Sequence, residues 1–203
     1  MNDEECLKAI ADGGRVANEA IGILYDRYAR RFLAYLLRRK FSPEDAEDMV
    51  QDVFVNIASK LQGSSSNISN GRAYLYRALH NRLVDFLRAK RPTISESDLG
   101  PAGEDQENPI WDVLTKHWPI EEDNFDFLRC LQGALHHFYD QNSEAGTAID
   151  LAAIEGFSGR ELAEVLGRTY GATREFLYQC KKKFQALLME LCYDYIPESV
   201  KVK

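Results

Sequence analysis

The sequence predicts an all-α protein of two small helical domains joined by an acidic linker. Apolar residues recur at steps of three and four in both halves of the chain. Helix-opening signals stand at Ser42-Pro43-Glu44-Asp45 and at Ser158-Gly159-Arg160-Glu161. Between the halves, Pro92 to Asp123 carries nine acidic residues against Lys116 alone, a balance of -8, with Pro92, Pro101, Pro109, Pro119, Gly100 and Gly103. That composition suits a linker rather than a packed core. The expected boundaries are residues 1–91, 92–123 and 124–203. With 203 residues, 45% of them hydrophobic, the chain can bury a core in each domain.

In the first domain, Ile21, Leu24, Tyr28, Phe32, Tyr35 and Leu36 mark a long amphipathic helix, with Arg27, Arg30, Arg31, Arg38 and Arg39 around it. Ser42 as cap, Pro43 at the first helical position and two carboxylates in the first turn open a second helix that runs to about Leu61. It buries Ala46, Met49, Val50, Val53, Phe54 and Ile57. Its other face shows Asp45, Asp48, Gln51, Asp52 and Asn56. Five carboxylates and no base between Glu44 and Asp52 exceed what the helix dipole calls for. A solvated acidic face and a docking surface for a protein partner are the two readings.

Gln62 to Asn70, QGSSSNISN, reads as a loop. It leads into Gly71–Arg91, where Leu75, Leu79, Leu83 and Phe86/Leu87 form one apolar face. Arg72, Arg77, Arg82, Arg88, Lys90 and Arg91 are opposed only by Asp85, so six bases against one acid give +5 in a chain of net charge -7. Such a helix is an electrostatic footprint for a polyanion, most simply nucleic acid. Tyr74, Tyr76, His80 and Asn81 lie among the arginines, where they can stack on or hydrogen-bond to unpaired bases. A solvated basic face with tyrosines in the core has the same composition.

After the linker, whose Trp111 and Trp118 suit anchors to a domain or a partner, Phe127/Leu128, Leu131, Leu135 and Phe138 mark one helix. Ala148, Leu151, Ala152 and Ile154 mark another, ending near Gly156. Ser158 and Glu161 form a capping box for a short helix with Leu162, Ala163, Val165 and Leu166, which Gly167 ends. Arg168 to Ala172 read as a turn. Thr173 then opens a last helix burying Leu177, Cys180, Phe184, Leu187, Leu188 and Leu191. Two helices joined by a short glycine-bearing turn have the form of a helix-turn-helix, whose second helix enters the DNA major groove.

Other classes are disfavoured. Cys6, Cys130, Cys180 and Cys192 are far apart and never form a CxxC pair, which argues against a metal site and a disulfide framework; Cys180 and Cys192 read as small core residues. His80, His117, His136 and His137 lack metal-ligand spacing, and His136-His137 reads as one packed and one exposed residue. No glycine loop is placed to cradle phosphate, and no carboxylate pair stands in a catalytic motif, so neither a cofactor nor an enzyme activity is expected. No apolar run reaches the roughly 20 residues of a membrane span, and Met1-Asn2-Asp3-Glu4-Glu5 lacks a basic signal start. A cytoplasmic protein with no membrane partner is expected.

Four stretches carry a family resemblance: LYDRYARRFLAYLLRR, EDAEDMVQDVFVNI, RAYLYRALHNRLVDFLRAKR and GFSGRELAEVLGRTYGATREFLYQCKKKF. In this order they resemble a bacterial RNA polymerase sigma factor of the extracytoplasmic-function group of the sigma-70 superfamily, which has only regions two and four. The resemblance covers most of Ala20–Arg91 and Ala145–Leu188. It implies that Asp45, Asp48, Gln51, Asp52 and Asn56 dock on the clamp helices of the largest subunit of core RNA polymerase. It implies that Ser66, Asn67, Ser69, Asn70, Arg72, Tyr74, Arg77, Asn81 and Arg88 hold the opened minus-10 strand of promoter DNA, with one base flipped into a pocket of the loop. Flipping costs a few kcal/mol, which binding to the opened strand offsets. The acidic linker resembles the family's linker through the RNA channel, and region four in this family meets the polymerase flap.

The helix-turn-helix would then read the minus-35 element with Arg160, Arg174, Glu175, Tyr178, Gln179 and Lys182. Here the sequence departs from the family: Ala172 and Thr173 stand where threonine and valine are usual, and Glu175 and Phe176 replace serine and arginine. A carboxylate near phosphate repels, and residues 124–203 carry nine bases against eleven acids. Weak minus-35 recognition that needs an auxiliary partner is the expectation. The resemblance also implies control by an anti-sigma factor. A sigma mimic that binds an anti-sigma factor without initiating transcription is the alternative; it leaves the basic, tyrosine-bearing helix without a role.

Overall fold

The computed structural model describes residues 1–64, 68–90 and 125–196, which contain eight α-helices and no strand. They fall into two compact units. The residues read as a linker, Trp111 and Trp118 among them, lie outside the described residues, as do Ser66 and Asn67. Among the described residues no helix is long and apolar enough to cross a membrane.

The N-terminal unit contains α1 (Asp3–Asp12), α2 (Arg15–Leu37), α3 (Pro43–Leu61) and α4 (Gly71–Lys90). Helix α1 is absent from the sequence-based expectation. Its signal was present: the side chain of Asn2 accepts from the Glu5 amide and that of Glu5 from the Asn2 amide, a complete capping box. Cys6, Leu7 and Ile10 bury its inner face. Helix α2 buries Leu24, Tyr28, Phe32, Tyr35 and Leu36 as its periodicity predicts. Helix α3 opens on Ser42, whose Oγ accepts from the Asp45 amide at 3.1 Å, and ends at Leu61 as expected. Its six predicted apolar residues are all buried.

Helix α4 buries Leu75, Leu79 and Leu83, as its spacing predicts, together with Tyr76. Of the two readings open for the tyrosines of this helix, Tyr76 takes the one in the core. Its ring lies 5.0 Å from that of Phe32, 6.1 Å from Tyr35 and 6.4 Å from Tyr28, in each case edge-on. Edge-to-face pairs at these separations add to area burial. Tyr76 therefore fastens α4 to α2.

The C-terminal unit contains α5 (Phe125–Gln141), α6 (Ser143–Ala153), α7 (Gly159–Leu166), α8 (Tyr170–Leu191) and a single 3-10 turn at Tyr193–Tyr195. Helices α5, α6 and α8 pack on one another through Leu131, Phe138, Ala148, Leu151, Phe184 and Leu188. Asp150 is fully buried and accepts a 2.8 Å hydrogen bond from the Tyr139 hydroxyl, which meets the need of a buried carboxylate for a donor. His136 is half-buried and His137 exposed, matching the reading of that pair. The predicted capping box of α7 is present, with the Ser158 amide donating to Glu161 at 2.9 Å and the Glu161 amide to Ser158 Oγ at 3.4 Å. Gly167 ends α7 with φ of 66°, a backbone conformation that glycine adopts without strain.

Three expectations for this unit are corrected. Cys130 and Cys192 form a disulfide, because the packing of α5 against the end of α8 brings together residues 62 apart in sequence. Spacing along the chain does not reveal that proximity. A cross-link closing a loop of this length restricts the unfolded chain by about 4 kcal/mol. Cys180, by contrast, is the buried free thiol the sequence suggested, its pKa pushed up to about 12 mainly by burial. The last helix starts at Tyr170, not Thr173, because Thr169 is its cap and accepts from the Ala172 amide. Its buried face is Thr173, Phe176, Cys180, Phe184, Leu187 and Leu188, while Leu177 is half-buried and Leu191 exposed.

Tyr76→Ala is expected to cost the folded protein about 3–5 kcal/mol, the range for emptying a large aromatic site. Chemical denaturation checks it, with half-exposed Tyr74→Ala as the comparison expected to stay within about 1 kcal/mol.

Candidate nucleic-acid and polymerase interface

The surface of α3 and α4 is set by what they bury. With Met49, Val53 and Ile57 of α3 and Leu75, Leu79 and Leu83 of α4 turned inward, the polar residues of both helices line their seam. Two adjoining depressions result. One, of about 230 Å³, is lined by Asp45, Asp48, Gln51, Asp52, Arg82 and Phe86. The other, of about 220 Å³, is lined chiefly by Asn56, Lys60, Tyr74, Arg77, Asn81 and Asp85.

The sequence treats the acidic face and the basic helix as separate features. The fold brings them together, and Arg82 is the joint. Its Nε and Nη2 both donate to Asp52 Oδ2, at 3.0 and 2.7 Å. At this exposure the pair is worth roughly 0.2–1 kcal/mol. Asp52 and Arg82 therefore begin as each other's partners, so a carboxylate of α3 also opposes the basic charge of α4.

The other named residues of α4 divide by rotation. Arg77, Asn81 and Arg88 are exposed. Tyr74 is half-buried, and burial pushes its phenol above the usual tyrosine range. Arg72 is half-buried with its guanidinium 5.9 Å from the Tyr76 ring. Ser69 is exposed, whereas Asn70 caps α4, its Oδ1 accepting from the Ala73 amide at 2.9 Å. Lys60, across the seam from Arg77, belongs with this group; its place in the last turn of α3 was the signal available in the sequence.

His80 is not a base-stacking candidate. Its Nδ1 is buried without a hydrogen-bond partner, and burial, with the charge of Arg39 nearby, lowers its pKa to about 4. Arg39 itself lies across Tyr35, its guanidinium 3.3 Å from the ring centroid. The end of α2 thus contributes positive charge beside α4 that no local sequence pattern announces.

In the C-terminal unit, α7 and α8 are separated by the three residues 167–169, as a helix-turn-helix requires. Arg174 and Lys182 are exposed on α8, and Tyr178 and Gln179 are half-buried on the same side. Glu175 accepts from Gln179 Nε2 at 3.1 Å, so the carboxylate already has a partner one turn away. Arg160 is exposed and lies 6.0 Å from the ring of Tyr170, an exposed tyrosine in the first turn of α8. Arg168 has a structural role: it pairs with Glu144 at 2.9 Å and covers the Phe176 ring at 4.3 Å. Among the described residues no cluster of histidine, cysteine and carboxylate is placed to hold a metal ion.

The helices that carry this seam resemble sigma-70 region 2: residues 24–93 match the family model of that name. Over most of its length the chain is also similar to proteins named as RNA polymerase sigma factors. It is 25% identical to "RNA polymerase sigma factor SigZ" of Bacillus subtilis (strain 168), over 84% of this chain and 88% of that protein. It is 24% identical to "ECF RNA polymerase sigma-E factor" of Haemophilus influenzae, over 94% and 97% of the two. It is also 24% identical to "RNA polymerase sigma-H factor" of Pseudomonas aeruginosa, over 93% and 95%.

The depressed pKa of His80 has a consequence for stability. Between its ordinary value near 6.5 and about 4 the unfolded chain binds a proton that the folded chain does not, so stability falls with pH in that window. The loss from pH 6.5 to 5 is expected to reach at most about 2 kcal/mol. Denaturation of the wild type and of His80→Gln at the two pH values measures it, with a flatter response expected for the variant.

Proposed function

We propose that this protein is a sigma factor: it binds core RNA polymerase, brings it to promoters and supports opening of the minus-10 region for transcription initiation. The observation that carries the reading is the α3–α4 seam, where an acidic face and a basic, aromatic-bearing face adjoin within a region 2 fold. Relatives named as sigma factors align over most of the chain, which supports the same role.

In this reading Asp45, Asp48, Gln51, Asp52 and Asn56 dock on the polymerase clamp helices. The carboxylates of α3, with Asp48 exposed and Asp45 and Asp52 half-buried, offer acceptors, and Arg82 keeps Asp52 oriented until a stronger partner arrives. Ser69, Asn70, Arg72, Tyr74, Arg77, Asn81 and Arg88, with Ser66 and Asn67, take the opened strand. Arginines neutralise phosphates while Tyr74 and Asn81 address bases, a division of labour common to single-strand binders. The residues beyond position 91 form an acidic linker and a region 4, whose Arg160, Arg174, Glu175, Tyr178, Gln179 and Lys182 bind the minus-35 element weakly. The Glu175–Gln179 bond supports this, because it occupies an amide that could otherwise address a base. Promoter choice then depends on region 2 or on an auxiliary partner, and an anti-sigma factor holds the protein inactive.

Initiation from a genomic promoter library with core polymerase tests the proposal. Initiated transcripts are expected to share a minus-10 motif and to lack a minus-35 motif. Arg77→Glu and Tyr74→Ala should each reduce open-complex formation about tenfold or more, the scale of losing a direct nucleic-acid contact. Asp48→Lys should weaken polymerase binding instead. If polymerase binds and no transcript appears, the auxiliary-partner and sigma-mimic readings take its place together, and a pull-down separates them.

A further inference from the structure

Helix α1 lies outside the residues that match the region 2 model, yet it makes the hydrogen bonds that hold both flanks of the segment before α4. The Gly63 amide donates to the Ala11 carbonyl at 3.0 Å. The Gly71 amide, the first of α4, donates to the Glu4 carboxylate at 2.7 Å. Residues 4 and 11 are seven apart on one helix, so the two anchor points stand roughly 10 Å from each other on a rigid rod. A polar nine-residue stretch, Gln62–Asn70, is thereby tied at entry and exit to the same element.

The rod is itself fixed. Asp3 accepts from the guanidinium of Arg27 and from the hydroxyl of Tyr28, the Met1 carbonyl accepts from Arg27 at 3.1 Å, and Cys6, Leu7 and Ile10 are buried. The approach of α1 to α4 is close enough to dictate a residue type. A Cβ on Gly71 would stand 2.6 Å from Asp3 Cβ and 3.1 Å from the Asp3 carbonyl carbon, so only glycine permits the contact.

We propose that α1 is a positioning element for promoter reading, and that Glu4 holds the first turn of α4 at the axial position from which Arg72, Tyr74, Arg77 and Asn81 are presented. The inference rests on the sigma-factor reading. Glu4 touches no nucleic acid in this account. It acts through the Gly71 amide, and a backbone donor held by a carboxylate is a strong, directional bond. Core-polymerase docking lies on a different surface, the acidic side of α3, so the two properties should separate.

The test uses holoenzyme assembled from full-length protein and core polymerase, with promoter fragments carrying the preferred minus-10 sequence or single-base substitutions of it. Glu4→Ala is expected to reduce discrimination between these fragments about tenfold, the effect of losing one charge-assisted hydrogen bond. Core-polymerase affinity and helical content should stay at wild-type levels. Glu4→Gln, whose amide oxygen still accepts, should restore most of the discrimination. Gly71→Ala, which displaces the start of α4 instead of removing the acceptor, should reproduce the loss. The proposal is overturned if Glu4→Ala discriminates as the wild type does, or if Glu4→Ala and Glu4→Gln lose discrimination and polymerase binding together, as a general folding defect would cause. A wild-type holoenzyme with no minus-10 preference would instead remove the sigma-factor reading on which the inference stands.

Discussion

The rotational setting of α4 governs the rest of the N-terminal unit, and the insertion of Tyr76 among Tyr28, Phe32 and Tyr35 fixes it. Residues two apart on a helix point about 200° away from each other, so Tyr74 and Tyr76 cannot share a face. Once Tyr76 is buried, Tyr74 must face the seam, and Arg77, Asn81 and Arg88 must lie at the surface. The same packing brings Arg82 within reach of Asp52 on α3. One aromatic anchor therefore determines which arginines can meet a polyanion and which one is held by a carboxylate.

Charge segregation explains how a chain of net charge -7 can present a basic face suited to a polyanion. Exposed charges interact over about one Debye length, near 8 Å at physiological salt, so local sign matters more than the total. The acidic and basic faces meet at the α3–α4 seam, and the Asp52–Arg82 pair lies on that boundary. A weak, solvent-exposed pair is suited to such a place: it orients both side chains yet costs about 1 kcal/mol or less to exchange for other partners.

Much of this was legible in the sequence because the signals were local. The apolar spacing of α2, α3 and α4, the Ser42 cap and the Ser158–Glu161 box are properties of a few consecutive residues, and each is realised except that Ile21, Phe86 and Leu87 are only half-buried. What escaped depended on the meeting of distant segments. Cys130 and Cys192 pair because α5 and the end of α8 are neighbours, and Arg39 reaches His80 because α2 ends beside α4. The last helix begins three residues earlier than its apolar pattern suggested because Thr169, not the residue before Thr173, makes the capping bond. Helix α1 was a different case: its Asn2–Glu5 box was visible, but ten residues with a modest apolar face do not announce that they will hold the start of another helix.

In the proposed function, adjoining sides of one seam address two different partners. Photo-crosslinking tests it most directly, with a photoreactive amino acid placed singly at Asp48 and at Asn81 in open complexes formed with core polymerase and promoter DNA. Position 48 is expected to capture the largest polymerase subunit and position 81 a promoter strand within the minus-10 region. Capture of polymerase from both positions, or of DNA from position 48, would contradict it.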